Sequence, residues 1–224
     1  EYIIPYGTCA LNGDGHLSHI NEKPQFDFLI NTGLYILNPD ILGMIPKNRM
    51  YHFTDLIEDA KNKYTINSNQ INILLGIGGS GPTKRIPAYK FLNFMKMATK
   101  EYDCKFFLAT GTNEEEQIIL NEILNSEFKE RCVSLDKIKI KETLPIIKNC
   151  TVAICNDSSF SHLSAALDIP TIVLLSDTPL MYGSYSPNMY PIIPDGEETV
   201  THDTLGKERI NPEKIFKIFK EIVT

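Results

Sequence analysis

The sequence predicts an α/β protein: a doubly wound parallel sheet over residues 70–224, preceded by a small α+β segment over residues 1–65. Three observations predict it. From Ile71 onward, apolar runs of strand length alternate with stretches of helical period, the pattern of βα units that assemble into a parallel sheet. Val152–Ser176 reads as strand, polar turn, helix and strand in succession. The apolar run Ile71–Ile77 leads directly into a glycine-rich turn, Gly78-Gly79-Ser80-Gly81-Pro82-Thr83, as a buried strand does where it hands over to a helix.

The elements follow in order. Leu11-Asn-Gly-Asp-Gly15 is a turn of the kind that joins hairpin strands. Phe26 to Leu37 alternates loosely and carries aromatic and β-branched residues, as strands do. Asn38-Pro39-Asp40 starts a short helix through Met44, with Pro39 at its first position. Phe53 to Ala60 is a further helix, capped by Thr54. Asn67-Ser68-Asn69-Gln70 marks a boundary. Beyond the strand Ile71–Ile77, Phe91, Leu92, Met95 and Ala98 give Ala88–Tyr102 a helical period. Lys105–Ala109 is the next strand. Glu114–Phe128 is a helix with Asn113 as cap and three glutamates matched to its dipole. Cys132–Leu135 is a short strand, and Glu142–Lys148 a helix whose length Pro145 limits. Val152–Asn156, Phe160–Leu167 and Thr171–Leu175 are strand, helix and strand. Pro212–Val223 is an amphipathic closing helix, capped by Asn211.

Composition bounds the function. The chain has 224 residues, 42% hydrophobic and 22% charged, with a net charge of −6 and a pI near 5.4. Such a balance argues against a broad nucleic-acid surface, which needs clustered Lys and Arg. No apolar run reaches the roughly 20 residues of a membrane helix, so no transmembrane segment is expected. The start, Glu-Tyr-Ile-Ile-Pro, lacks the basic and apolar regions of a signal peptide, and a cytoplasmic location is expected. It also lacks a Met, so a fragment or a processed product is expected. Five cysteines occur without a CxxC pair, several in strand-like runs. They read as buried free thiols in a reducing compartment. No ligand spacing for a metal occurs, and neither a metal nor another cofactor is expected.

The residues that carry chemistry gather in the turns. Asn156, Asp157, Ser158 and Ser159 sit where a strand passes into a helix, and His162 follows one helical turn on. In open α/β sheets ligands bind at the carboxyl ends of the strands, and a helix start offers free N–H groups that suit phosphate. Lys84 adds a cation beside the Gly79-Ser80-Gly81 loop, whose backbone admits close approach. Each feature has a plainer reading. Asp157 and Ser158 serve as helix caps, His162 as a satisfied core histidine, Lys84 as a solvated charge, and Glu114, Glu115 and Glu116 as a dipole-matched helix start. Their convergence on one sheet edge favours a site.

The stretch from about Ile71 to Thr224 resembles the carboxyl-terminal, donor-binding domain of the family 9 glycosyltransferases, the heptosyltransferase family. Three segments carry the resemblance: Lys84-Arg85-Ile86-Pro87 after a small-residue loop, Ala109-Thr110-Gly111 followed by Glu114 and Glu115, and the run Asn156-Asp157-Ser158-Ser159-Phe160-Ser161-His162 with Ala165. Ser159 stands where that family usually has Gly, and its side chain crowds the closest approach of a phosphate. The resemblance implies a Rossmann-like, GT-B type domain that binds a nucleotide-diphosphate sugar of the ADP-heptose type. It also implies a glycan or lipid-linked acceptor. Within that reading Lys84, Ser80 and the Ser158–Ser159 helix start meet the pyrophosphate, Asp157 the sugar, and Glu114 or Glu115 a ribose or sugar hydroxyl. His162 binds the donor or orients Asp157. Inverting transfer needs a general base, which the resembled family draws from its amino-terminal domain, so no catalytic residue is assigned.

The first half resembles the later part of a sugar-1-phosphate nucleotidyltransferase. It does so through Pro5-Tyr6-Gly7, Asn12-Gly13-Asp14-Gly15, Glu22-Lys23-Pro24 and Asn31-Thr32-Gly33 running to Pro39. That resemblance implies a sugar-phosphate pocket formed by Gly7, Glu22, Lys23, Asn31 and Thr32, without the family's nucleotide loop or its late metal-binding acid. Glu22-Lys23-Pro24 reads equally as a hairpin edge. Three alternatives to a complete transferase therefore stand: a nucleotidyltransferase, a non-catalytic module that binds sugar nucleotides, and two truncated domains joined near residue 65.

Overall fold

A computed structural model describes residues 2–3, 5–26, 39–63 and 70–224. The chain divides into two compact units, Glu1–Ala60 and Lys61–Thr224.

In the first unit, strands β1 (Tyr2–Ile3) and β4 (Gln25–Phe26) pair antiparallel, as do β2 (Thr8–Leu11) and β3 (Leu17–Asn21). The turn read at Leu11–Gly15 does join a hairpin. The Asn12 side chain accepts from the N–H of Asp14 at 3.2 Å and of His16 at 2.8 Å. A 3-10 helix spans Pro39–Met44, and helix α1 spans Phe53–Lys63. Thr54 lies inside α1 and does not cap it. The Asp55 carboxylate accepts from the His52 N–H at 3.3 Å instead, the returning half of a capping box. Most of the strand expected over Phe26–Leu37 lies outside the described residues.

The second unit contains β5 (Ile71–Gly76), α2 (Ala88–Glu101), β6 (Cys104–Ala109), α3 (Glu114–Leu124), β7 (Cys132–Ser134) and α4 (Ile140–Lys148). After these come β8 (Val152–Asn156), α5 (Ser159–Ala166), β9 (Thr171–Leu174), β10 (Met189–Ile192) and α6 (Pro212–Val223). The six strands form one parallel sheet in the order β10-β9-β8-β5-β6-β7. The chain starts at the centre, winds to one edge, returns, and winds to the other, which is the doubly wound order. Among the described residues, no helix is long and apolar enough to cross a membrane.

Burial explains the arrangement. Ile73, Leu75, Phe106, Leu108, Val152, Ile154, Ile172 and Leu174 meet α2, α3 and α6 on one face, where Phe91, Phe94, Leu120, Ile215 and Phe219 close the core. Phe219 sits edge-on to Phe94 and to Tyr102, at 5.4 and 5.5 Å between ring centroids. Each such pair adds about 0.5–1.5 kcal/mol beyond area burial. On the other face Leu74, Ala109, Ala153 and Cys155 pack with Ile147 of α4 and with Phe160 and Leu163 of α5.

Differences from the expected elements have local causes. Helix α3 ends at Leu124 because Ser126 Oγ donates to the Ile123 carbonyl at 2.6 Å and accepts from the Phe128 N–H at 3.2 Å. Those side-chain bonds replace the next turn. Helix α4 begins two residues earlier than expected and accommodates Pro145 within its nine residues. Strand β10 was not foreseen, because Pro191 lies within it. At the sheet edge a missing N–H costs no ladder bond.

Candidate functional site

A doubly wound sheet opens a crevice where the strand order reverses. Here that point lies between β5 and β8, neighbours in the sheet but separated in the chain by β6 and β7. A cleft of about 790 Å³ occupies it, lined by the loops that follow β5, β6, β7 and β8.

The β5 and β8 loops are tied together at the floor. Asn156, fully buried, donates Nδ2 to the carbonyls of Ile77 at 2.9 Å and Gly78 at 3.2 Å. Ser176 Oγ donates to the Thr83 carbonyl at 2.8 Å, and the Lys84 N–H to the Gly81 carbonyl at 3.1 Å. The Lys84 side chain then reaches across to Asp157, Nζ to Oδ2 at 2.8 Å. Asp157 is nearly closed to solvent, whereas Lys84 is partly open to it, with side chains 7% and 23% exposed.

Ser158 caps α5. The Ser161 hydroxyl accepts from the Ser158 N–H at 3.4 Å and donates to the Ser158 carbonyl at 2.7 Å. Thr110 Oγ1, in the cleft lining, is shielded from water yet has no hydrogen-bond partner among the described residues. Buried polar atoms are nearly always paired, so this hydroxyl is free to bond a group held in the cleft.

The β6 loop brings a second carboxylate. Asn113 caps α3 by accepting from the Glu116 N–H at 3.0 Å, and the Glu116 side chain turns back to take the Asn113 amide. Its Oε1 accepts from the Gly79 N–H at 2.8 Å. The approach is so close that a Cβ at Gly78 would lie 2.6 Å from Glu116 Oε1. Glycine is required there for that reason and not for its dihedral freedom. Leu135 and Ile138 of the β7–α4 loop, Ile140 at the start of α4, and Phe160 give the cleft its apolar lining.

Ser80, Lys84, Asp157, Ser158, Ser159 and His162 all line this cleft. Ser159, at the cleft edge, is exposed. Glu114 and Glu115 do not line it. Both are exposed, and Glu115 pairs with Arg85. The acid that faces the cleft is Glu116, one position on, because helical phase turns the third residue back toward the cap. The pattern Asn-x-x-Glu of a capping box carried that signal. The apolar loop from Leu135 to Ile140 carried no motif. Nor did Tyr185, whose hydroxyl lies 2.7 Å from His162 Nδ1. Burial, then the charge of Asp157, hold the Tyr185 phenol above its ordinary value.

In the first unit Gly7 and Glu22 are adjacent, a Cβ at Gly7 falling 2.9 Å from Glu22 Oε2. Lys23 follows with a positive φ of 48°. Asn31 and Thr32 lie outside the described residues. Among the described residues, no three His, Cys, Asp or Glu side chains stand together as a metal site.

Comparison with known proteins identifies one family across most of the chain. The family model described as glycosyltransferase family 9 (heptosyltransferase) matches residues 42–203. Its start falls inside the segment that resembles a nucleotidyltransferase, and the comparisons lend that second resemblance no support. A lipopolysaccharide heptosyltransferase 1 of Campylobacter coli is 28% identical over 167 residues, 71% of this chain and 49% of the relative. The chain thus spans about half the length of that relative. A family 9 glycosyltransferase structure from Veillonella parvula superposes with a TM-score of 0.59 at 19% identity, covering 74% of this chain and 49% of that one. An Escherichia coli heptosyltransferase solved with ADP superposes with a TM-score of 0.57 at 13% identity, covering 72% of this chain and 47% of that one. The shared fold is the GT-B-like α/β fold.

Proposed function

We propose that this chain, which belongs to glycosyltransferase family 9 (heptosyltransferase), holds the nucleotide-diphosphate sugar of a glycosyl transfer in the cleft between β5 and β8. The donor is of the ADP-heptose type, and the transfer serves lipopolysaccharide or surface-glycan synthesis. One observation carries the reading. Lys84 and Asp157 meet at the switch point of the sheet, beside the glycine loop after β5 and the helix start after β8. A diphosphate needs a cation and several N–H donors, and that corner supplies both. The name of the Campylobacter relative and the ADP in the Escherichia coli structure support the same donor.

The division of labour follows from chemistry. Lys84 and the backbone N–H groups of Ser80 and Ser159 meet the diphosphate, while the Gly79 N–H stays with Glu116. Asp157 accepts hydroxyl protons of the sugar, as a carboxylate does. Glu116 accepts from the ribose, and the Leu135–Ile140 loop covers the base. The Thr110 hydroxyl finds its partner on the same ligand. The acceptor is a glycan or a lipid-linked saccharide. Buried, protonated thiols suit a reducing compartment, which supports a cytoplasmic site of action. The base that activates the acceptor is not assigned to any residue of this chain.

Calorimetric titration of the chain with ADP and with ADP-heptose tests the reading. Saturable binding of both supports it, and no heat at millimolar ligand, with the fold verified by circular dichroism, removes it.

A further inference from the structure

His162 has two ring nitrogens in unlike surroundings. Nδ1 lies 2.7 Å from the Tyr185 hydroxyl, and the two rings stack at 27° with centroids 5.7 Å apart. Nε2 lies 3.8 Å from Asp157 Oδ1. That gap is too long for a hydrogen bond, but close enough for the carboxylate to favour a proton on Nε2. A neutral imidazole carries one proton, so a proton on Nε2 leaves Nδ1 as the acceptor. The tyrosine hydroxyl is the donor Nδ1 then needs. Partial desolvation and the nearby Asp157 charge hold the phenol above its ordinary value, although the residue is 60% exposed. Lys84 engages the other oxygen of Asp157.

We propose that Tyr185 is a positioning residue: by donating its hydroxyl to Nδ1 of His162, it holds that ring as the Nε2–H tautomer and aims the N–H into the cleft. There Nε2–H becomes a neutral donor for a ligand phosphate oxygen, beside the charged donor Lys84. Tyr185 itself is not in the cleft lining and acts through His162. The ligand role rests on the cleft being the nucleotide-sugar site; the tautomer does not. The sequence separates the two residues by 23 positions, and the segment between β9 and β10, with its 3-10 turn at Leu180–Gly183, brings them together.

The experiment has two independent readouts. Long-range proton–nitrogen correlation spectra of histidine-labelled protein, taken near pH 8 where imidazole is neutral, assign the His162 tautomer. The expected result is Nε2–H in the native chain and a mixture in Tyr185→Phe; a native Nδ1–H tautomer, or a variant with an unchanged spectrum, overturns the proposal. Titration with ADP should show Tyr185→Phe binding about threefold to tenfold more weakly, the worth of one hydrogen bond. In a His162→Ala background the same change should cost nothing further. An equal loss in both backgrounds overturns the positioning role, because it shows that Tyr185 acts without His162. If the native chain binds no ADP while the tautomer responds to Tyr185→Phe, the nucleotide-sugar reading fails and the His162–Tyr185 assignment is supported.

Discussion

Lys84 Nζ and Asp157 Oδ2 meet at 2.8 Å across 73 residues of sequence. The ion pair joins the loop after the central strand β5 to the loop after β8, at the one point in the sheet where the winding direction changes. A pair in that position is both a clamp on two loops and a preset cation for a ligand.

Replacing Lys84 by Met should weaken ADP binding about tenfold to a hundredfold. A hydrogen bond from a charged group contributes about 1.5–3 kcal/mol. Inorganic pyrophosphate should lose affinity in parallel, since the lysine meets the part of the ligand that both share. Calorimetry with each ligand measures it, and equal affinity before and after substitution removes Lys84 from the site.

Glu116→Gln should separate the two halves of the ligand. The Gln carbonyl can still accept from the Gly79 N–H, so the phosphate loop stays formed, while the bond to the Asn113 amide and the charge offered to ribose hydroxyls are lost. ADP affinity should fall about tenfold while pyrophosphate affinity holds. A parallel fall for both ligands would show that the substitution acts on the phosphate loop.

Two glycines of one loop should differ. At Gly78 a Cβ would fall 2.6 Å from Glu116 Oε1 and 3.1 Å from Thr110 Oγ1; at Gly81 it would meet nothing within 4 Å. Gly78→Ala should cost about 1–3 kcal/mol through overpacking, or roughly 2–4 °C of melting temperature per kcal/mol at this size. Gly81→Ala should leave the melting temperature unchanged. Paired thermal melts decide it.

The buried thiols set an alkaline limit. Burial pushes Cys104, Cys150 and Cys155 up to about 12 from an ordinary value of 9.0. A raised acid favours the protonated form in the folded state. The stability it contributes is full below pH 9 and is lost as pH climbs toward 12. The melting temperature should therefore fall steeply above pH 9. At neutral pH an alkylating reagent should label the exposed Cys9 first and these three only on unfolding. Rapid labelling of Cys155 in the native chain would contradict its burial.

The sheet was legible because parallel strands buried on both faces read as unbroken apolar runs, as Ile71–Ile77 and Val152–Cys155 do. Helix α6 was legible from its amphipathic pattern, with Asn211 as cap and Pro212 at its first position. What escaped was set by partners distant in sequence or by local competition. Pro191 hid β10, since only its place at the sheet edge makes the missing N–H harmless. Ser126 stopped α3 by bonding its own backbone. At the site, the Lys84 and Asp157 segments announced themselves through motif and turn chemistry. The choice of Glu116 over Glu114 and Glu115 required the phase of a helix whose cap fixes which carboxylate turns inward. Tyr185 carried no local signal, because its meaning comes only from the loop that returns it to His162.

The central claim is that a diphosphate sits between the Gly79–Ser80 loop and the start of α5. Amide proton–nitrogen spectra recorded during an ADP titration test it most directly. The account predicts saturable shifts concentrated on Gly79, Ser80, Ser158 and Ser159, lost or weakened in Lys84→Met. Saturable shifts centred elsewhere, or none at millimolar ADP in a folded chain, would contradict it.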